Sequence, residues 1–167
     1  MAQQRQSLVA DFVDGAIAGA VATWVMGKAT TYLYEHENPR ARLLEDRARN
    51  GQTAYEVAAE RGARLVGTEL TVAGRERLGS AIHWALGTLA GALYGVLRPR
   101  VHDVALARGL AFGAAFWLLM DEGAVYALRL TRGPGAFPWQ AHARGLAGHV
   151  TFGSVADAVL SVLQPSA

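Results

Sequence analysis

The sequence contains no cysteine and only one lysine, Lys28, among its 167 residues. Without cysteine there is no disulfide framework, no thiolate ligand for a metal and no thiol nucleophile, and the redox compartment stays open. Charge is also scarce: 18% of residues are charged and 51% are apolar, a balance unlike that of an ordinary soluble domain. A nucleic-acid footprint is missing too, because the net charge is only +2 and the arginines are scattered through connecting segments. No Walker loop, dinucleotide fingerprint or hydrolase elbow is present, and Gly133-Pro134-Gly135 is a loop breaker rather than a phosphate cradle. These absences lean away from an enzyme.

What the chain does have is glycine and long apolar stretches. Segments 9–34, 79–97, 104–128 and 145–163 carry few charges, and crossing a hydrocarbon core takes roughly 20 helical residues. The expected fold is therefore all-α, one integral membrane domain built as a four-transmembrane-helix bundle in a lipid bilayer. Asp11 and Asp14 interrupt the first apolar run, so it reads as an uncleaved span rather than a secretory signal. The 36–78 connection holds a capping box, Thr53-Ala54-Tyr55-Glu56, ahead of an apolar set that includes Val57, Ala58 and Leu65. That pattern predicts an amphipathic helical loop against the membrane or the bundle, and Pro39 opens a shorter helix before it.

Glycines recur four residues apart at Gly15 and Gly19, at Gly87, Gly91 and Gly95, and at Gly109 and Gly113. Gly145, His149 and Gly153 repeat that spacing. Such spacing puts small side chains on one helical face, where backbones can approach closely in a membrane. No internal repeat stands out. Tyr32, Tyr34, Trp84, Tyr94, Tyr126 and Trp139 lie near span ends and read as interfacial anchors, with Trp24 and Trp117 deeper and packed. Eleven arginines fall on the side of the 35–78 and 129–144 loops, against Arg5, Arg98, Arg100 and Arg108 on the other. The positive-inside rule then makes both long loops cytoplasmic and both termini external.

Ionisable residues within spans persist because they meet a partner or do work. Lys28, His83, Asp121, Glu122 and His149 fall toward the cytoplasmic ends of their spans and form one layer. Asp14, Arg108 and Asp157 form a second layer near the opposite face, read as structural charge neutralisation. In the first layer, Glu122 is rotated about 100° from Asp121 on an ideal helix, which separates the two carboxylates. Three readings of this layer stay open: hydrogen bonding between helices, proton or cation handling with pH sensing, and ligation of a metal or haem. A divalent metal would use His83, His149 and Asp121, and a haem would sit between the two histidines. His142, seven residues before His149, reads as a surface histidine.

The order of several short motifs resembles the YagU-like bacterial inner-membrane family. These motifs are Gly15 to Gly19, Asn38-Pro39-Arg40, a second helix opened by His83 and containing Tyr94-Gly95, Gly109 to Ala114, and Pro138-Trp139 ten residues before Gly148-His149. Asp121 departs from that family's pattern, as does the position of Lys28. The resemblance implies an inner-membrane protein associated with acid resistance, with His83 and His149 as the shared residues. Beside a role in acid or envelope stress stands the alternative of a non-catalytic accessory subunit, packed through its glycine faces into a homo-oligomer or a larger membrane complex.

Overall fold

The first helix, α1 (Leu8–Glu35), starts where the Ser7 side chain accepts a hydrogen bond from the Ala10 N–H, satisfying one of the orphan donors of a helix start. In the computed structural model, which describes residues 7–101 and 107–164, no strand occurs among the described residues. After α1 come α2 (Pro39–Arg49), α3 (Ala54–Leu65), α4 (Val72–Leu97) and α5 (Leu110–Leu119). A π-helical turn at Met120–Ala124 leads into α6 (Val125–Ala127), followed by a 3-10 turn at Pro134–Ala136 and by α7 (Trp139–Leu163). The protein is an all-α bundle.

Four helical segments are long and apolar enough to cross a membrane: Leu8–Glu35, Val72–Leu97, Leu110–Ala127 and Trp139–Leu163. Their bounds differ from the sequence expectation in physically intelligible ways. α4 starts seven residues before position 79, because Thr71 caps it by accepting from the Gly74 N–H, and the added turns carry Arg75, Glu76 and Arg77. α7 starts at Trp139, not at 145, with Pro138 immediately ahead of it, a residue whose fixed φ suits a helix start. Of the expected third span, 104–106 lie outside the described residues. Ala107, Arg108 and Gly109 form a turn with positive φ before α5 begins.

Glycine decides how the spans meet. α1 lies between α4 and α7, and α5 packs on the far side of α7. A Cβ added at Gly19 would come 2.6 Å from the Gly87 carbonyl oxygen, and one at Gly15 would come 2.5 Å from that of Gly91. The α5–α7 crossing has the same character, with Gly109 against the Gly153 carbonyl and Gly113 against the His149 carbonyl. Around these crossings Ala18, Ala22, Tyr94, Phe152 and Leu160 form the core. Val9, Val13, Ile17 and Trp24 leave an exposed apolar stripe on α1, as a lipid-facing helix requires. Trp24, expected to pack, is in that stripe. Tyr94, expected as an anchor, is fully buried.

The far end of the bundle holds a charge cluster whose cations differ from the expected one. Asp157 accepts from the Tyr94 hydroxyl at 2.8 Å and from Arg98 Nε at 2.7 Å. Asp11 pairs with Arg100 at 2.7 Å, and the Gln164 amide reaches Asp14 at 3.2 Å. Arg108 is exposed and enters no ion pair among the described residues. α5 begins only at Leu110, so Arg108 stays in the preceding turn, while Arg98 and Arg100 follow the end of α4 directly.

Candidate functional site

At the loop end of the bundle, α2, α3, the π-turn and α7 enclose a cavity of about 280 Å³. The loop helices reach it through specific contacts. The capping box of α3 is formed, with Thr53 accepting from the Glu56 N–H and Glu56 accepting from the Thr53 N–H. Arg61 donates to the carbonyl oxygens of Leu128 at 2.7 Å and Arg129 at 2.6 Å, tying α3 to the end of the third span. Tyr55 is thereby set against His83, with ring centroids 4.9 Å apart.

α2 is anchored by charge. Glu45 is completely buried, and Arg144 of α7 donates to it at 2.5 Å while also reaching Glu37 at 2.5 Å. Arg49 closes the same carboxylate from within α2 at 2.5 Å. A buried charge survives only when paired this way. Solvated loop arginines were the expectation from sequence. Arg144 departs from it because α7 starts early and carries the residue into the bundle.

His83, Asp121, Glu122 and His149 all border the cavity. Lys28 is exposed and does not border it. The two adjacent carboxylates, both in the π-turn, border the same cavity, against the expected separation of their faces, because its mouth is wide enough to be lined from both. Each faces a histidine of α7. His142 Nδ1 lies 2.6 Å from Glu122 Oε1, and its Nε2 lies 3.2 Å from the Pro134 carbonyl oxygen. A neutral imidazole donates from one nitrogen only. Satisfying both acceptors therefore takes one proton more than a neutral histidine beside an ionised carboxylate supplies.

The second pair is the opposite case. His149 is 3% exposed, and its Nε2 is 3.3 Å from Asp121 Oδ1. That separation is within ion-pair range, but the alignment is not that of a hydrogen bond, so both ring nitrogens lack a partner among the described residues. The indole N–H of Trp117, beside Asp121, is likewise unpaired. Above them, burial and then the charge of Asp121 push the Tyr55 hydroxyl up to about 12. A phenol with that environment stays protonated as a neutral hydrogen-bonding group.

The metal reading of His83, His149 and Asp121 is not supported by this geometry. Among the described residues no three His, Asp or Glu side chains converge as a metal-binding group.

His142, Arg144, Glu45 and Trp117 were not singled out from sequence as site residues. A signal for His142 existed, since seven residues separate it from His149 and two turns place both on one helical face. A second signal is a short internal repeat relating α4 to α7, against the expectation of none. Gly79-x-Ala81-x-His83-x-x-x-Gly87 in α4 has the spacing of Gly145-x-Ala147-x-His149-x-x-x-Gly153 in α7, with Ala90 and Ala92 matched by Ala156 and Ala158. Their partner helices also match, Gly15 to Gly19-Ala20 in α1 and Gly109 to Gly113-Ala114 in α5. The crossings differ by one helical turn: Gly19 meets the Gly87 carbonyl, whereas Gly113 meets that of His149. That offset puts His149 in the crossing, fully enclosed, and leaves His83 one turn beyond its own crossing, half-buried against Tyr55.

Fold and site together define a multi-pass helical membrane protein with a polar cavity at one end of its bundle. No family model, no curated protein and no solved structure matches the chain.

Proposed function

We propose that the protein is a proton-responsive protein of the bacterial inner membrane, with its cavity on the cytoplasmic side and a role under acid or envelope stress. The observation that carries this reading is the inequality of two histidine–carboxylate pairs on adjacent residues of one π-turn. Glu122–His142 holds an arrangement completed by an extra proton, and Asp121–His149 is in contact range with its ring nitrogens unsatisfied. A proton arriving at His149 turns the 3.3 Å contact with Asp121 into an ion pair. Histidine ordinarily changes charge near pH 6.5, within the range a cell meets in acid stress. The other groups bordering the pairs are Tyr55 from α3, His83 from α4, Glu45 and Arg49 from α2, Tyr126 from α6 and Arg144 from α7. Glu45, Arg49 and Arg144 are already paired with one another, which leaves the histidines as the responsive partners of Asp121 and Glu122. The YagU-like resemblance supports the same physiological setting.

Nitrogen NMR of ring-labelled histidine in nanodiscs tests this reading. The expected result is a change in the His149 ring-nitrogen signals on acidification, assigned by its disappearance in His149→Gln. Histidine rings whose signals do not respond to acidification would sink the proposal. Proton movement is tested separately, with a pH-sensitive dye inside liposomes. Equal fluxes from wild type and from His83→Ala/His149→Ala would remove transport and leave sensing.

A further inference from the structure

We infer that the cavity binds a small organic monocation, an ammonium group on an apolar or aromatic body, with Asp121 as its counter-ion. This rests on the reading of the cavity as a working site, and it adds the class of molecule that competes there with protons. The charges decide the sign. Both arginines at the cavity are committed, Arg49 to Glu45 and Arg144 to Glu45 and Glu37, so an anion would find no uncommitted cation among the cavity-lining residues. Asp121 and Glu122, in contrast, face only histidines. With those histidines neutral, the Asp121 side of the cavity carries negative charge without a fixed positive partner.

The buried groups left unpaired argue that something occupies the space. His149 is 97% enclosed, borders the cavity and has neither ring nitrogen hydrogen-bonded, and the Trp117 indole N–H beside Asp121 also lacks an acceptor. Leaving a ring nitrogen dry and unpaired costs about 1–3 kcal/mol, and an ammonium N–H can donate to the unprotonated nitrogen of His149, whereas the Trp117 N–H, itself a donor, is not met by a cation. A bare metal ion is a poor candidate, because no three ligands converge among the described residues. The walls instead suit an organic cation: Tyr55, Trp117, Tyr126 and Phe137 border the space, and aromatic faces attract cations by their quadrupoles. Size limits the occupant as well. About 280 Å³ lies just below the usual range for drug-sized ligands, roughly 300–1,000 Å³, so a body of one ring with a short amine fits the volume.

Benzylammonium is a suitable probe, because a benzylic amine stays protonated at both pH 8 and pH 5.5 and carries the N–H donors that His149 lacks. The full-length protein in nanodiscs at pH 8 should show saturable quenching of tryptophan fluorescence by this cation, with the quenching lost in Trp117→Phe, and binding heat measured by calorimetry in every other variant. Asp121→Asn, close to isosteric, should weaken binding by about tenfold or more, the scale of losing one partly buried charge partner. Asp121→Glu should retain it, which separates loss of charge from loss of fold. Ethylbenzene, the uncharged isostere, should not compete. Absence of saturable binding, equal affinity in Asp121→Asn, or equal competition by the neutral compound overturns the inference. A repeat at pH 5.5 separates the two proposals: a protonated His149 repels the cation and weakens binding. Tight binding unchanged by pH would count against the proton reading and leave the cation site standing. A titrating His149 with no cation binding would do the reverse.

Discussion

On the side it turns toward α1, Gly91 has room for a hydrogen atom and nothing larger. A Cβ there would come 2.5 Å from the Gly19 nitrogen and 2.6 Å from the Gly15 carbonyl oxygen, both backbone atoms that cannot step aside. Gly91→Ala should therefore force α1 and α4 apart and cost on the order of 1–3 kcal/mol, the usual penalty of overpacking. Gly27, in α1 as well, meets nothing within 4 Å. Gly27→Ala should be neutral or stabilising by about 0.5–1 kcal/mol through helix propensity. Thermal unfolding of the two variants in one detergent checks both signs. If Gly91→Ala is as stable as wild type, the close crossing is wrong. Tyr55 supplies a titration at the same scale. Its folded value of about 12 stands above the ordinary 10.0, so its contribution to stability is fully present below pH 10.0 and is lost as pH rises toward 12. Tyrosinate absorbance, assigned with Tyr55→Phe, should show one late phase. Asp121→Asn should move that phase down without bringing it back to 10.0, since burial outranks the aspartate as its cause.

α3 packs on α4 where Gly79 meets Glu56 and is held by polar contacts as well, and its response to acid can be worked out. Glu60 accepts from the Gln52 amide at 3.1 Å and from Arg64 at 2.5 Å, and these partners lower its pKa below the ordinary 4.5. A lowered folded value means the contribution is present above 4.5 and is lost as pH falls through the folded value. Hydrogen exchange of the α3 amides, corrected for intrinsic rates, should rise in that acid window in wild type. Glu60→Gln should flatten the dependence, and a pH profile unchanged by this substitution would refute the assignment. α3 also shows how far sequence reasoning reached. Its start was legible because a capping box is local, with Thr53 and Glu56 three residues apart and bonded reciprocally. The four spans were legible for the same reason, since length and apolar content need no partner. The π-turn was not legible: Met120–Ala124 has no residue signature, and it carries both Asp121 and Glu122, which border one cavity. Long-range pairing was equally hidden. Glu45 and Arg144 are 99 positions apart, and nothing in either neighbourhood marks one as the other's partner. Arg108 falls at the depth of Asp14 and Asp157 only along an ideal span, which the turn at 107–109 breaks.

At the scale of the whole molecule, the four-span reading places the 36–71 and 128–138 connections on one membrane side, with the 98–109 connection opposite. The cavity belongs to the first side, because α2, α3 and the π-turn build it. The proposed cytoplasmic placement of that side rests on arginine bias: eleven arginines accompany the long loops and four lie elsewhere. Many of the eleven are ion-paired, Arg49, Arg64 and Arg144 among them. The bias still operates, since it acts on lysine and arginine counts rather than on net charge. The lack of native cysteine makes the assignment directly measurable. Single cysteines introduced as Glu69→Cys and Arg132→Cys, both at exposed positions on the cavity side, should react with a membrane-impermeant maleimide only after permeabilisation. Val101→Cys, at the opposite end, should react in intact spheroplasts. The reverse pattern would turn the cavity outward, and the pairs at Asp121 and Glu122 would then meet external acid first. Labelling of all three from one side would contradict the four-span arrangement itself, because an even number of crossings separates Glu69 from Arg132 and an odd number separates each from Val101.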